Sequence, residues 1–174
     1  MRVTHITGTI LLLGLSFFMP ALAVEGGGVG TVEKAKNEVT ASPSANDPAR
    51  PLATGNPVFQ NEIVKTGSQA RAELRLADET SLSMGENATV RLDEFVYNAD
   101  GSATINLVTG ALRFISGANG HPGKLTIKTA VATIGIRGTD FWAGPIDGVY
   151  GVLLLNGKVE VINSGGSVTL DTPR

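Results

Sequence analysis

The sequence predicts an all-β domain of many short strands in two packed layers, wound like a solenoid or, alternatively, arranged as a β-sandwich. Three observations lead there. From Val58 onward, apolar residues recur in pairs at i and i+2, the period of a strand with one buried face. Turn-forming residues separate the pairs. Glycine is abundant, at 22 of 174 residues, while aromatics make up only 5%, a balance that suits short strands and tight turns better than a helical bundle.

In chain order, Arg2 supplies a short positive region, residues 6–19 are mostly apolar, Pro20 breaks the run, and Ala21-Leu22-Ala23 forms a small-x-small cleavage site. Residues 1–23 therefore read as a secretory signal peptide, cleaved after Ala23. The run is short for a transmembrane helix of roughly 20 residues, so the mature protein is not expected to span a membrane. Residues 24–30 (VEGGGVG) read as a flexible lead-in, and residues 31–174 as the β domain. Residues 31–40 (TVEKAKNEVT) fit a short helix loosely and leave one or two strands open. Residues 41–57 carry Pro43, Pro48, Pro51 and Pro57 and read as a loop, because proline cannot donate to a ladder.

The apolar pairs then follow: Leu74/Leu76, Leu82/Met84, Val90/Leu92, Ile105/Leu107, Leu112/Phe114, Leu125/Ile127, Ile134/Ile136, Val152/Leu154, Val159/Val161 and Val168/Leu170. Arg71, Glu73 and Arg75 alternate with Ala72, Leu74 and Leu76, a plain outward and inward register. Asn156-Gly157 between two apolar runs is the strongest hairpin signal, since both residues accept the positive φ of a type I′ turn. The first three pairs are evenly spaced and later ones are not, so no strict repeat is present.

Charge and composition narrow the function classes. The formal charge is -2, and loss of Arg2 with the signal peptide leaves 13 basic against 16 acidic residues. No basic excess exists to neutralise phosphates, so no nucleic-acid partner is expected. The chain has no cysteine, which removes disulfides, thiolate metal sites and catalytic thiols. Of two histidines, His5 leaves with the signal peptide and His121 sits in a glycine-rich loop. A serine triad or zinc site therefore has little to draw on. Asp93-Glu94 are neighbours on a strand and face opposite ways. Asp140 and Asp147 are the other carboxylates weighed for paired acid–base work. Asp78-Glu79 lacks calcium-ligand spacing. The segment Gly151-x5-Gly157-Lys158 misses the phosphate-loop spacing. We expect no enzyme activity and no cofactor or metal.

The most informative stretch is TAVATIGIRGTDF, residues 129–141. Gly135 and Gly138 beside β-branched residues predict a strand that bends or passes close to another backbone. Arg137, crowded among glycines and apolar residues, is expected to pair with Asp140 or Glu160 and act as an internal clasp. Gly135, Arg137, Gly138, Thr139, Asp140 and Phe141 are thus read as a structural signature. Phe141 and Trp142 should face opposite ways, one into the core and the other, Trp142, as a candidate surface contact.

Four blocks carry a family resemblance: GSQARAELRLAD at residues 67–78, GALRF at 110–114, TAVA with IRGTDF at 129–141, and NGKVEV at 156–161. With these, residues 29–170 resemble the FecR domain, the periplasmic part of ferric-citrate-type regulators. The family's Asp-Gly turn is here Asp78-Glu79. The resemblance implies a periplasmic, solenoid-like all-β domain that receives or relays a signal by protein contact, and it implies no catalytic residues. Only five residues precede the apolar segment, too few to hold a cytoplasmic sigma factor. The expectation is a periplasmic or secreted, non-enzymatic module that contacts another envelope protein. The alternative is a carbohydrate- or peptidoglycan-binding module using exposed aromatics such as Trp142.

Overall fold

A computed structural model describes residues 28–93, 102–117 and 125–173, apart from the side chain of Arg137. Residues 1–23, read from sequence as a signal peptide, most of the lead-in, Phe95, Tyr97 and His121 lie outside the described residues. The described chain is all β: β1 (Gly30–Lys36), β2 (Val39–Ser42), β3 (Arg50–Pro51), β4 (Pro57–Val58), β5 (Ile63–Thr66), β6 (Arg71–Leu76), β7 (Ser81–Met84), β8 (Thr89–Arg91), β9 (Ala103–Thr109), β10 (Leu112–Ile115), β11 (Leu125–Thr129), β12 (Thr133–Ile146), β13 (Val149–Asn163) and β14 (Gly166–Leu170).

These strands join in one open sheet, in the lateral order β3-β2-β5-β8-β9-β11-β12-β10-β7-β6-β1-β4, with β13 and then β14 branching from β12. The described pairings are antiparallel except β9 with β11. The long strand β12 belongs to both halves. Its first part, Thr133 to Ile136, pairs with β11, and its second, Asp140 to Ala143, pairs with β10. The sheet folds over at the residues between. The inner faces of the two halves then share one core, with Val64, Val90, Ile105, Ile127 and Ile134 from one side and Leu74, Leu82, Leu112, Phe114 and Phe141 from the other, all at 0% exposure. Each such side chain contributes about 1.5–3 kcal/mol by leaving water.

Between halves the chain turns at short corners. Asn37, Gln69 and Asn87 occupy the left-handed region there, which asparagine tolerates because its short amide bonds locally. The corners also bond to one another. The Asn37 amide donates to the Gln69 carbonyl at 2.7 Å, and the Thr66 hydroxyl donates to the Gly85 carbonyl at 2.6 Å. Near the outer edge, Glu62 is buried at 5% exposure and accepts from both the Arg50 guanidinium and the Phe59 amide.

The first six apolar pairs are buried throughout, and Arg71, Glu73 and Arg75 face outward as expected. Residues 31–40, left open between a short helix and one or two strands, form β1 and the start of β2 with a corner at Asn37. Other expectations need correction. The proline-rich loop is interrupted by the end of β2 and by β3 and the start of β4, whose prolines sit on short peripheral strands that need few ladder donors. The lead-in does not stay free to its end, since Val29 is buried and Gly30 already belongs to β1. Asn156-Gly157 is not a hairpin turn: β13 runs straight through it. The turn before β13 is Asp147-Gly148, with φ of 49° and 81°, the two positive angles a type I′ turn requires. Val168 and Leu170 keep the strand period, but of the two only Leu170 packs against the core, while Val168 is 55% exposed.

Candidate interaction surfaces

The fold-over point is built from the glycine-arginine segment and its partner strand. β12 and β13 pair with register shifts between Arg137 and Asp140 and again between Asp140 and Phe141. Two residues, Gly138 and Thr139, therefore oppose Gly157 alone, as in a β-bulge, which bends a strand. Gly138 has φ of 58° with open space around it, whereas a Cβ on Gly157 (φ 85°) would stand 2.2 Å from the Gly138 carbonyl oxygen. Thr139, 4% exposed, locks the bend. Its amide donates to the Ser116 hydroxyl at 2.8 Å, and its own hydroxyl donates to the Lys158 carbonyl at 2.8 Å.

The signature residues divide around that bend. Gly135 lies in straight strand opposite Glu160. Asp140 accepts two bonds from the Arg113 guanidinium, at 3.0 and 2.8 Å, and this hydrogen bond, more than the charge itself, holds the guanidinium pKa above its ordinary value. The backbone of Arg137 faces Lys158, while its side chain, read from sequence as the clasp, lies outside the described residues. Phe141 is fully buried and stacks on Phe114 with ring centres 5.4 Å apart. Trp142 faces the opposite way, half-buried on the outer surface. Of the other carboxylates weighed for chemistry, Asp147 sits in the β12–β13 turn, and Asp78 accepts from the Thr80 amide and hydroxyl. Among the described residues no group of three acidic or histidine side chains is placed to hold a metal ion.

Two surfaces remain beyond the fold-over itself. One is the outer edge of β14, which among the described residues pairs only with β13 and carries no charge and no proline (GSVTL). Near it, Ile162 is 42% exposed. The other is an open groove of about 760 Å³ on the outer face, where β1, β6, β7, β10 and β12 lie side by side. Strand register places Glu73, Ser83, Arg113 and Trp142 in one lateral line across it. Arg71, Gly85, Ala111 and Gly144 belong to the next line. The outward alternation of Arg71 and Glu73 was legible from sequence. Their alignment with Trp142, some 70 residues away in the chain, was not, because it depends on which strands pair.

A family model described as FecR protein matches residues 62–160, more than half the chain. An uncharacterised protein of Treponema pallidum (strain Nichols) is 29% identical over 87 residues, covering 50% of this chain and 12% of that much longer relative. Two crystal structures, at 2.50 and 1.65 Å resolution, of a candidate anti-sigma factor from Parabacteroides distasonis superpose with a TM-score of 0.56 at 17% identity. The superposition covers 64% of this chain and 51% of theirs, and it shows a shared fold. No helix among the described residues is long and apolar enough to cross a membrane.

Proposed function

The chain belongs to the FecR protein family, and from that premise we propose that it is a non-enzymatic, signal-sensing domain of the cell envelope that acts by binding another protein. Its structural neighbours, described as a candidate anti-sigma factor, support a regulatory reading. So does the resemblance of residues 29–170 to the sensing part of ferric-citrate-type regulators. The leader-like N-terminus supports export to the periplasm or beyond, which predicts a mature chain beginning at Val24.

The observation that carries the proposal is the edge of β14. Folded proteins blunt exposed edges with charges, prolines or bulges, and this one has none of them. Its unpaired backbone groups suit an added strand from a partner, with Val168 offering an apolar contact beside them. A photo-crosslinking residue at position 168, in the exported protein, should capture one discrete partner. The same residue at Val108, which is 51% exposed but lies on a strand paired on both sides, should not. Val168→Pro, which places a proline in the edge strand, should abolish partner binding while leaving the core folded. Identical capture from both positions, or full binding by the proline variant, would refute edge recognition.

A further inference from the structure

We propose that the groove beneath Trp142 is a binding site for a carboxylated oligosaccharide. This inference goes beyond the protein-binding edge and concerns a different surface. Its floor is made of small residues, Ala72, Gly85 and Ala111, with Met84 beside them. A Cβ on Gly144 would stand 2.9 Å from the Trp142 ring and 2.7 Å from the Ala111 Cβ. The indole therefore packs over Gly144 beside Ala111, where only a glycine leaves room for it. A ring fixed in this way is a ready platform for the apolar face of a sugar, with little ordering cost on binding. The polar groups around it, Ser83, Thr54 and Glu73, match a ligand rich in hydroxyls.

The charge comes from the other end. Lys34 is tied to Glu73 at 2.9 Å, and Arg113 is tied to Asp140. Lys36 and Arg71 also line the groove, and among the described residues neither has an ion pair. They are direct cross-strand partners in β1 and β6. Like charges set directly opposite each other on neighbouring strands are destabilising. A carboxylate between them would relieve that repulsion and take the Arg71 fork in a charge-assisted bond. The chain as a whole is net negative, so this pair is a local feature rather than part of a basic surface. An acidic peptide shares the charge but fits less well. β6, β7, β10 and β12 are hydrogen-bonded on both sides here, so an extended peptide could pair only along the outer edge of β1 beyond Thr31, at the rim of the groove away from Trp142.

Trp142 is the single tryptophan of the chain, so its emission reports this groove directly. The mature protein would be titrated with trigalacturonate, with the neutral trisaccharide maltotriose, and with triglutamate peptide. We expect trigalacturonate alone to give a saturable change in emission, weakened by added salt. Arg71→Glu, on an exposed side chain, should weaken that binding by at least about tenfold, with the fold intact by circular dichroism. Val168→Pro should leave it unchanged, which keeps this test separate from that of the edge. No emission change and no heat on trigalacturonate addition would overturn the proposal. So would equal binding of maltotriose, or full binding by Arg71→Glu. Tighter binding of triglutamate would instead assign the groove to an acidic peptide and refute the saccharide.

Discussion

Replacing Gly157 with alanine separates two roles that a glycine beside an asparagine can play. In a hairpin turn, a glycine with positive φ costs only its conformational preference when replaced, about 1–2 kcal/mol for an L-residue forced into the left-handed region. Gly157 instead lies inside β13, opposite the bulge of β12. An added Cβ would sit 2.2 Å from the Gly138 carbonyl oxygen and 3.0 Å from the Thr139 Cα. Both are backbone atoms, so no rotamer change relieves the clash, and the strands must part by about 1 Å to reach ordinary contact distance. That displacement pulls on the Thr139 hydroxyl bond to the Lys158 carbonyl and the Thr139 amide bond to Ser116, each worth about 1 kcal/mol. The expected total is at least about 3 kcal/mol. Gly138→Ala is the internal control. Its φ of 58° carries the same conformational cost, but nothing lies within 4 Å, so about 1–2 kcal/mol is expected. Urea unfolding followed by Trp142 emission reads the difference. With a slope of about 1–3 kcal/mol per molar, the midpoint of Gly157→Ala should fall clearly below that of Gly138→Ala. Equal losses, or a milder loss at position 157, would refute the close approach and return Asn156-Gly157 to a turn-like role.

Three further outcomes follow from the same geometry. Thr139→Val keeps the side-chain volume and removes the hydroxyl bond to the Lys158 carbonyl, so thermal unfolding should shift down by an amount corresponding to about 1–2 kcal/mol; an unchanged midpoint would mean that water replaces the bond without loss. Arg71→Glu converts a repulsive cross-strand pair with Lys36 into an attractive one, so its urea midpoint should rise slightly at low salt and return toward wild type at high salt. Burial pushes the Tyr150 phenol up to about 12, against a smaller opposing pull from the Thr129 hydroxyl. Between roughly pH 10 and 12 the unfolded chain thus loses a proton that the folded chain keeps, and stability falls as pH rises through that window. Tyr150→Phe should lose less stability than wild type between pH 8 and pH 11, and parallel losses would remove Tyr150 from the account.

Much of the strand content could be read directly because it depends on a short-range period. Leu74/Leu76 through Leu125/Ile127 alternate in sequence and are buried in the structure, and the Arg71-Glu73-Arg75 face is outward in both. The period failed only where burial depends on what lies beyond the strand. Val168 and Leu170 alternate equally well, yet only Leu170 packs against the core and Val168 stays exposed. Asn156-Gly157 was misread because positive-φ tolerance serves a type I′ turn and a strand bend equally. Asp147-Gly148 has the same chemistry and is the real turn. Proline likewise marks short peripheral strands as readily as loops, and so β3 and β4 were missed.

By itself the sequence determined an all-β chain, its inward and outward residues, and its family through the blocks around residues 67–78 and 129–141. Those properties are local, set by alternation and by backbone tolerance over a few residues. Tertiary structure decided that Gly138, Thr139 and Gly157 meet where one open sheet folds into two layers. It also decided that Asp140 is held by Arg113, and that Lys36 and Arg71 share a groove with Trp142. Such relations require strands distant in sequence to become neighbours. Strand pairing, driven by burial of the shared core, sets that adjacency, and no local pattern encodes it.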